Sequence, residues 1–477
     1  MSIPALLAAA DPSRVAVVDG DVVLTYGELR DAARRFAGGI TPRERVAIWA
    51  PNSWKWIVGA LGLWEAGATL VPVNTRFKGA EASVILERSG ATTLLTDGAF
   101  LGVDHATLVD VPGVTKLTFD DIGGDGPDAV VADDDVSDIL FTSGTTGVPK
   151  GVVMTHARTL TVARDWVAMT GLRAGDRYLM VNPYFHMFGL KAGILACIAA
   201  CATMYPEPVF DAGRTLQRIA EEKITVLPGA PTLYQAILDH PERDQFDLSS
   251  LRVAVTGAAD IPVALIERVR DELPFSVVVT GYGLTEAGTV SATSPDDEPA
   301  TVATTVGRAR PGYEIRISGD EGVGEVLVRS ATVMREYLDD PAATAEAIDA
   351  EGWLHTGDLG TVGEDGCLRI VGRSKDMFIV GGFNAYPAEI ENALLRHPDV
   401  VQVAVIGVPD ERLGEVGMAF VVTPSRDDDV AARILKWAKG EMANFKVPRA
   451  IEIIDALPVN ATGKIVKDEL RARVQPA

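Results

Sequence analysis

The chain has 477 residues, 47% of them hydrophobic, so it is long enough to form about two to four domains or subdomains with their own cores. Its net charge is −22, and acidic residues are spread along the whole sequence. Such a surface repels phosphate backbones and anionic lipids, which argues against nucleic acid or an anionic membrane as a partner. An anionic ligand would need a local basic pocket, so lysines and arginines inside glycine-rich motifs are the candidates to follow.

Cysteines and apolar segments indicate where the protein works. The three cysteines, Cys197, Cys201 and Cys367, are too few for a disulfide framework and lack the C-x-x-C spacing of a metal site. The apolar run 192–204 is too short to cross a bilayer, and the apolar stretch 3–10 lacks the basic region of a signal peptide. We therefore expect a cytoplasmic protein without an integral membrane segment.

Through the first three quarters of the chain, short β-branched runs alternate with amphipathic ones. The β-branched runs predict strands at 46–49, 69–73, 92–96, 178–181, 224–227, 252–256 and 276–280. The amphipathic runs predict helices at 26–38, 54–66, 80–89, 216–223 and 262–273. This alternation predicts parallel-rich α/β sheets with ligand sites at the carboxyl ends of the strands.

The pattern changes after the last of these strands. Short strands separated by turns predict a β-rich subdomain over 307–371. The C-terminal part returns to α/β, with predicted helices at 388–397 and 430–442 and predicted strands at 400–407 and 419–422. The predicted fold class is therefore α/β: a large N-terminal domain of parallel-rich α/β sheets plus a β-rich subdomain, followed by a small α+β C-terminal domain.

The segment 141–151, FTSGTTGVPKG, combines glycines and hydroxyl residues with Lys150 directly after an apolar run. Glycines let the backbone approach an anion with successive N–H groups, hydroxyls add donors, and the lysine adds a mobile charge. The spacing is not that of the usual P-loop, because Lys150 stands three residues after Gly147 and is followed by Gly151. The segment indicates a polyphosphate-binding loop, with a flexible turn as the alternative.

Five further segments carry polar side chains beside strands or in glycine-rich turns. They are 184–189 (YFHMFG), 281–286 (GYGLTE), 353–358 (WLHTGD), the pair 372–376 (GRSKD) and 381–387 (GGFNAYP), and 458–464 (PVNATGK). Each has an ordinary interpretation by itself: Tyr282 is a strand-end aromatic, Glu286 a capping acid, Asp358 a turn residue and Lys464 a solvated lysine. His186 among aromatic residues is as typical of a packed core group as of a functional one.

In this order the six motifs closely resemble the adenylate-forming superfamily, which includes acyl-CoA synthetases, the adenylation domains of peptide synthetases and firefly-type luciferases. The resemblance covers essentially the whole chain. Within the superfamily, the segments 182–186, 224–238 and 376–388 look most like actinobacterial acyl-CoA ligases that accept bulky, ring-bearing carboxylic acids.

The resemblance implies a ligase that uses ATP, Mg²⁺ and coenzyme A on a hydrophobic, cyclic carboxylic acid. A carboxylate is a poor electrophile, so it first attacks the α-phosphate of ATP, which gives an acyl-adenylate and pyrophosphate. A thiol then displaces AMP. The first step brings anions together and therefore needs cations and hydrogen-bond donors where charge develops.

The resemblance also implies a role for each motif residue. The residues implied to hold the β- and γ-phosphates are Thr142, Ser143, Gly144, Thr145, Thr146 and Lys150. The residues implied to surround the adenosine are Gly257, Ala258, Ala259, Tyr282, Gly283, Asp358 and Arg373. Tyr282 would stack on adenine and Asp358 would accept hydrogen bonds from the ribose. Thr285 is implied at the α-phosphate, Glu286 on magnesium, and Lys464 between the substrate carboxylate and the α-phosphate.

Lys375 matches the hinge position of the family. The implied domains are 1–374, with the ATP and acyl sites, and 375–477, a small mobile domain. One orientation of the mobile domain would present the C-terminal motif lysine for adenylation. The other would present Gly381 and Gly382, at the edge of the pantetheine tunnel, for thioester formation.

A mostly apolar set of side chains is implied to line the acyl pocket: Phe185, Met187, Phe188, Lys191, Pro231, Tyr234 and Ala258. Lys191 has two interpretations, a partner for a polar group on the acid or an ordinary surface lysine. The small residues Ala287 and Gly288 suit a large acyl group. His186 is implied to gate the junction of this pocket with the thiol tunnel.

The implied partners are a small-molecule carboxylic acid, ATP and CoA, and no nucleic acid. Three alternatives stay open: acyl transfer to a separate carrier protein, thioesterification of an adenylate made by a partner enzyme, and a non-catalytic acyl-nucleotide sensor. The presence of Lys464 argues against the sensor. A homodimer also stays open, because the sequence does not decide the oligomeric state.

Overall fold

A computed structural model describes residues 1–126, 129–142, 149–257, 263–319, 322–381, 383–425, 427, 429–460 and 465–474. Strands within these ranges form sheets of nine, seven, four and five strands and a two-stranded ribbon. Across the described ranges, no helix is both long enough and apolar enough to span a membrane.

The nine-stranded sheet is parallel at its centre. Its strands are β1 (Val15–Asp19), β2 (Val22–Thr25), β11 (Arg177–Met180), β12 (Thr203–Pro206), β13 (Val226–Pro228), β14 (Val253–Gly257), β15 (Val277–Leu284), β16 (Gly288–Ala292) and β17 (Arg308–Ala309). Their order is β17-β16-β15-β14-β13-β11-β12-β1-β2. Strands β2, β16 and β17 are antiparallel to their neighbours at the two edges.

The seven-stranded sheet has the order β20-β10-β9-β4-β3-β5-β8, with antiparallel pairing at the β9, β10 and β20 edge. Its strands are β3 (Arg45–Trp49), β4 (Thr69–Pro72), β5 (Thr93–Thr96), β8 (Thr115–Thr118), β9 (Val136–Thr142), β10 (Lys150–Thr155) and β20 (Glu336–Tyr337). The ribbon consists of β6 (Ala99–Phe100) and β7 (Val103–Asp104).

Two smaller sheets follow in the chain. The four-stranded antiparallel sheet contains β18 (Tyr313–Ile317), β19 (Gly324–Ser330), β21 (Leu354–Val362) and β22 (Leu368–Arg373). The five-stranded sheet contains β23 (Phe378–Val380), β24 (Phe383–Ala385), β25 (Gln402–Asp410), β26 (Gly414–Val422) and β27 (Ala450–Ile453), and it has its own hydrophobic core. The chain therefore folds into a large N-terminal domain of mixed sheets and a smaller C-terminal domain.

Helices connect and cover the sheets. The α-helices are α1 (Ile3–Ala9), α2 (Tyr26–Ala37), α3 (Trp54–Glu65), α4 (Gly79–Ser89), α5 (His156–Thr170), α6 (Met187–Gly189), α7 (Ala196–Ala200), α8 (Ala212–Glu222), α9 (Pro231–Leu238), α10 (Val263–Glu272), α11 (Pro299–Thr304), α12 (Pro341–Ala347), α13 (Pro387–Leu394), α14 (Val430–Glu441) and α15 (Lys467–Val474). A π-helical turn, Leu190–Leu195, joins α6 to α7.

The predicted fold class is confirmed, and most predicted elements lie within a few residues of the observed ones. Helix α8 begins earlier than predicted, because the Asp211 carboxylate accepts a hydrogen bond from the Arg214 N–H at 2.8 Å and caps the helix there. Strand β15 also continues beyond its predicted end to Leu284, because antiparallel β16 pairs with its last residues. The first four residues of the motif 281–286 therefore lie within the strand, and Thr285 and Glu286 follow it.

Close helix packing supports the N-terminal domain. Helix α3 lies against α2, and a Cβ atom at Gly62 would come within 2.7 Å of the Phe36 ring and 2.9 Å of the Ala33 carbonyl oxygen. A larger side chain at this position would push the two helices apart. Trp56 and Trp64, on the same helix, are fully buried, so α3 is a central element of the core.

A buried ion pair links the π-helical turn to strand β9. The Lys191 ammonium lies 2.9 Å from the Asp138 carboxylate, and the two side chains are 1% and 0% exposed. The second carboxylate oxygen of Asp138 accepts hydrogen bonds from the hydroxyls of Ser137 at 2.6 Å and Thr159 at 2.8 Å. The interpretation of Lys191 as a surface lysine is therefore wrong: its charge is compensated inside the core.

We predict that replacing Lys191 with methionine destabilises the N-terminal domain by about 3 kcal/mol, because an unpaired Asp138 carboxylate would remain buried. The double variant K191M/D138N should recover most of this loss, since asparagine can still accept the two hydroxyl hydrogen bonds. The measurement is the urea midpoint of unfolding followed by tryptophan fluorescence. Equal midpoints for the single and double variants would contradict the assigned pairing.

Candidate active site

The two ends of the glycine-rich phosphate segment lie on neighbouring strands. Strand β9 ends at Thr142 and β10 begins at Lys150, and the two residues are directly paired across the antiparallel ladder. Both side chains are half-buried. The predicted phosphate ligands between them, Ser143, Gly144, Thr145 and Thr146, lie outside the described residues. The structure thus places the ends of this segment next to each other at the edge of the seven-stranded sheet.

The predicted adenosine-binding glycines lie at the carboxyl ends of two parallel strands. Gly257 ends β14 and is paired with Gly281 on β15. A Cβ atom at Gly283 would come within 2.4 Å of the Gly288 carbonyl oxygen, so this position requires glycine. Of the turn predicted to follow Gly257, Ala258 and Ala259 lie outside the described residues.

Tyr282, Asp358 and Arg373 form a connected polar group. The Tyr282 hydroxyl donates a hydrogen bond to one oxygen of the Asp358 carboxylate at 2.5 Å, and Arg373 Nε lies 3.2 Å from the other. Asp358 and Arg373 are paired residues on β21 and β22. Burial, followed by the Asp358 charge, raises the pKa of the Tyr282 hydroxyl well above its usual value, so the hydroxyl remains a donor.

Thr285 and Glu286 lie in the turn between β15 and β16. The turn is closed by a hydrogen bond from the Ala287 N–H to the Leu284 carbonyl at 3.1 Å. Burial raises the pKa of the Glu286 carboxyl, whereas the Tyr337 hydroxyl and the Arg373 charge act in the opposite direction. A carboxylate oxygen is a preferred ligand type for magnesium.

Tyr337 joins this site and was missed by the sequence analysis. Its hydroxyl donates to the Glu286 carboxylate at 3.0 Å, and the Lys150 ammonium lies 4.9 Å from the centre of its ring. It lies on β20, a strand of two residues. A strand this short has no hydrophobic periodicity, so the sequence contained no local pattern that would have selected Tyr337.

His186 is the N-cap residue of the short helix α6. Its Nδ1 accepts a hydrogen bond from the Phe188 N–H at 3.2 Å, which fixes the orientation of the ring. A Cβ atom at Gly189 would lie 2.2 Å from the Pro183 carbonyl oxygen, so the chain can turn this tightly only with glycine. The structure therefore explains the His-x-x-Gly spacing, and the gating role of His186 stays a prediction.

The predicted acyl-pocket residues come from two parts of the N-terminal domain. Phe185 and Phe188 are half-buried and Met187 is buried beside His186, with Phe188 edge-on to Trp166 at 5.1 Å. Pro231 and Tyr234 lie on α9, which belongs to a second core. The Tyr234 hydroxyl donates to the backbone carbonyls of Leu227 at 2.5 Å and Val255 at 3.2 Å, so its polar atom serves the core packing. The contact of these predicted pocket residues with an acid stays a prediction.

The predicted hinge and thiol-side residues lie near the start of the C-terminal sheet. Lys375 is exposed on a single 3₁₀ turn, Ser374–Asp376, between β22 and β23. Gly381 has a φ of +57°, a conformation that favours glycine, and its N–H donates to the Leu413 carbonyl at 2.9 Å. Gly382 and Lys464 lie outside the described residues.

Comparison with known proteins identifies the class. Residues 7–338 match the family model described as AMP-binding enzyme, and residues 389–464 match the AMP-binding enzyme C-terminal domain. Since the first match covers more than half of the chain, the protein belongs to the AMP-binding, adenylate-forming family.

Two curated relatives cover nearly the whole chain. Each is a 3-[(3aS,4S,7aS)-7a-methyl-1,5-dioxo-octahydro-1H-inden-4-yl]propanoyl:CoA ligase. The protein from Rhodococcus jostii (strain RHA1) is 49% identical over 495 residues, covering 96% of this chain and 95% of the relative. The protein from Mycobacterium tuberculosis (strain H37Rv) is 49% identical over 488 residues, with 96% of each covered.

A solved structure supports the same class. The o-succinylbenzoate coenzyme A synthetase from Bacillus subtilis, in complex with ATP and magnesium ion, matches with a TM-score of 0.87 and 27% identity, over 98% of this chain and 99% of that chain. The protein is thus an acid–thiol ligase of the AMP-forming type. Its co-substrates are ATP and CoA, and its metal cofactor is Mg²⁺. The donors and carboxylates described above fit these groups.

We predict that D358A weakens binding of MgATP by about 30-fold, because the ribose loses a charged acceptor and Arg373 loses its partner. Y282F should weaken it only about threefold, since the ring remains for adenine and one hydrogen bond is lost. Isothermal titration with MgATP measures both effects. Y26F is a matched control, because the Tyr26 hydroxyl is buried and bonded to the backbone carbonyls of Cys197 and Ala202. Wild-type affinity in D358A would refute the assignment.

Proposed function

We propose that the chain activates a bulky, hydrophobic carboxylic acid that carries a fused ring system on a short propanoate arm, and converts it to the CoA thioester. The observation that carries this proposal is the 49% identity, over 96% of the chain, to ligases named for a methylated bicyclic propanoyl group. The small residues Ala287 and Gly288 after the Glu286 turn are compatible with a large acyl group.

The reaction has two balanced steps. In the first, a carboxylate oxygen of the acid attacks the α-phosphorus of ATP, the bond to the β-phosphate oxygen breaks, and pyrophosphate leaves. In the second, the CoA sulfur attacks the acyl carbon, AMP leaves, and the thiol proton is released. Negative charge accumulates at the reacting groups in both steps. Hydrogen-bond donors and cations that are preorganised around these groups therefore lower the barrier most.

We assign the described residues to these charges as follows. Thr142 and Lys150, at the two ends of the phosphate segment, face the β- and γ-phosphates, and Thr285 donates to the α-phosphate. Glu286 holds Mg²⁺, which would neutralise charge on the phosphates. The linked Tyr282 and Asp358 bind adenine and ribose. This assignment is supported by two sets of contacts, of Tyr282 with Asp358 and of Tyr337 with Glu286 and Lys150.

We also propose that the domain boundary lies at Lys375 and that the C-terminal domain rotates about it between the two steps. The support is that Lys375 is exposed on one short turn between two sheets. Asp376, the last residue of this turn, pairs with Arg471 on α15 at 2.6 Å, so the chain is tied to the C-terminal domain directly after Lys375. Rotation would replace Lys464, used in adenylation, by the segment that contains Gly381 and Gly382, used in thioester formation.

We place the reaction in the cytoplasm. All three cysteines are free thiols, and Cys197 and Cys367 are buried. Unpaired thiols are typical of proteins that stay in a reducing compartment.

We predict that kcat/KM for a bicyclic propanoic acid exceeds that for octanoate by about tenfold or more, since unfilled apolar pocket volume costs binding energy in the transition state. AMP and thioester formation with ATP and CoA, measured for bicyclic, planar aromatic and linear acids, checks this. A parallel assay with a carrier-protein phosphopantetheine tests the acceptor. Equal rates for linear and bicyclic acids would refute the proposed substrate class.

We predict that K464A reduces adenylation by about a hundredfold or more, because a positioned charge at the α-phosphate is lost. CoA thioester formation from a supplied acyl-adenylate should remain within about threefold of wild type, since phosphate bond cleavage precedes that step. K436A is the matched control, because Lys436 is an exposed lysine of the same domain. Equal loss of both half-reactions would contradict the role of Lys464.

A further inference from the structure

Tyr337 contacts two residues that the proposed function assigns to different parts of the triphosphate site. Its hydroxyl donates to a Glu286 carboxylate oxygen at 3.0 Å. The face of its ring lies under the Lys150 ammonium, 4.9 Å from the ring centre. One side chain therefore touches both the carboxylate assigned to magnesium and the lysine assigned to the leaving phosphates.

The backbone around Tyr337 is held from both sides. Strand β20 pairs with β10, and the Leu338 N–H donates to the Gly151 carbonyl at 2.8 Å. On the other side, the Met334 N–H donates to the Glu286 carbonyl at 2.6 Å. The segment around Tyr337 thus joins the strand after the phosphate segment to the turn that carries Glu286.

Tyr337 is a buried residue: it is 9% exposed, and its backbone N–H donates to the Thr344 hydroxyl at 2.9 Å. The Tyr337 hydroxyl donates to one oxygen of the Glu286 carboxylate, which leaves the second carboxylate oxygen available for a metal ion.

The contact with Lys150 has a different effect. An aromatic face attracts an ammonium group but does not neutralise its charge, as a carboxylate would. Lys150 is therefore held at the phosphate segment with its charge available for an anion. An aliphatic side chain of similar size would fill the space without this attraction.

We propose that Tyr337 is a positioning residue that fixes Glu286 and Lys150 relative to each other, so that Mg²⁺ and the departing pyrophosphate are bound at one preorganised site. This inference rests on the proposed roles of Glu286 and Lys150. It assigns Tyr337 no contact with substrate.

Two variants separate the two contacts. Y337F keeps the ring under Lys150 and removes the hydroxyl from Glu286, so the Mg²⁺ concentration for half-maximal ATP binding should rise about tenfold. Y337L removes both contacts, so ATP affinity should fall a further several-fold, even at saturating Mg²⁺. AMP lacks the β- and γ-phosphates, so its affinity should stay within about twofold of wild type in both variants.

Titration calorimetry with ATP and with AMP, each with Mg²⁺ and with EDTA, measures these effects, and the melting temperature without ligand checks folding. Y26F is the control for loss of a buried hydroxyl. Adding Y337F to E286Q should cause little further change in Mg²⁺ dependence, because the hydroxyl acts through the carboxylate. If Y337L fails to fold, Y337F alone decides the hydroxyl contact.

Three results would overturn the proposal. The first is an unchanged Mg²⁺ dependence in a folded Y337F. The second is an equal loss of ATP and AMP affinity in that variant, which would mark a merely structural role. The third is ATP binding by the wild-type protein that does not respond to Mg²⁺. This result would refute the assigned role of Glu286 itself. It can be distinguished from a failure of the Tyr337 proposal because it appears without any substitution.

Discussion

One electrostatic constraint governs the site: a carboxylate and a triphosphate, both anionic, must meet in a protein whose net charge is −22. A cation in a tight ion pair would be neutralised before the substrates arrived. Lys150 instead lies over the face of Tyr337. Arg373 pairs with the Asp358 carboxylate through Nε at 3.2 Å, and 53% of its side chain stays exposed. Lys150 is thus held by an aromatic ring that does not neutralise its charge, whereas Arg373 shares its charge with Asp358.

The groups that meet this constraint come from three different sheets. Tyr282 lies on the nine-stranded sheet, Asp358 and Arg373 lie on the four-stranded sheet, and Lys150 and Tyr337 lie on the seven-stranded sheet. The contacts of Tyr282 with Asp358, and of Tyr337 with the turn after β15, cross between sheets. The geometry of the proposed nucleotide site therefore depends on how the sheets of the N-terminal domain pack together, because its described residues come from more than one sheet.

The proposed acyl side is connected to the proposed phosphate side through the core. Lys191 lies on the π-helical turn that follows the His186 motif, and its ion pair reaches Asp138 on β9. The same strand ends at Thr142, where the phosphate segment begins. Removing one partner of a buried ion pair is costly, so this pair couples the position of the π-helical turn to that of β9.

The sequence by itself determined the elements and motifs that depend on near neighbours in the chain. Buried apolar runs placed strands such as β3 and helices such as α3, and the glycine-rich order of motifs identified the ligase family. Only the tertiary structure decided contacts between distant residues. Tyr337 meets Glu286 across 51 positions from a two-residue strand, and Lys191 finds Asp138 in another element. Hydrophobic periodicity and secondary-structure propensity describe the local backbone. The pairings of distant side chains arise from sheet packing and burial, and no local sequence pattern encodes them.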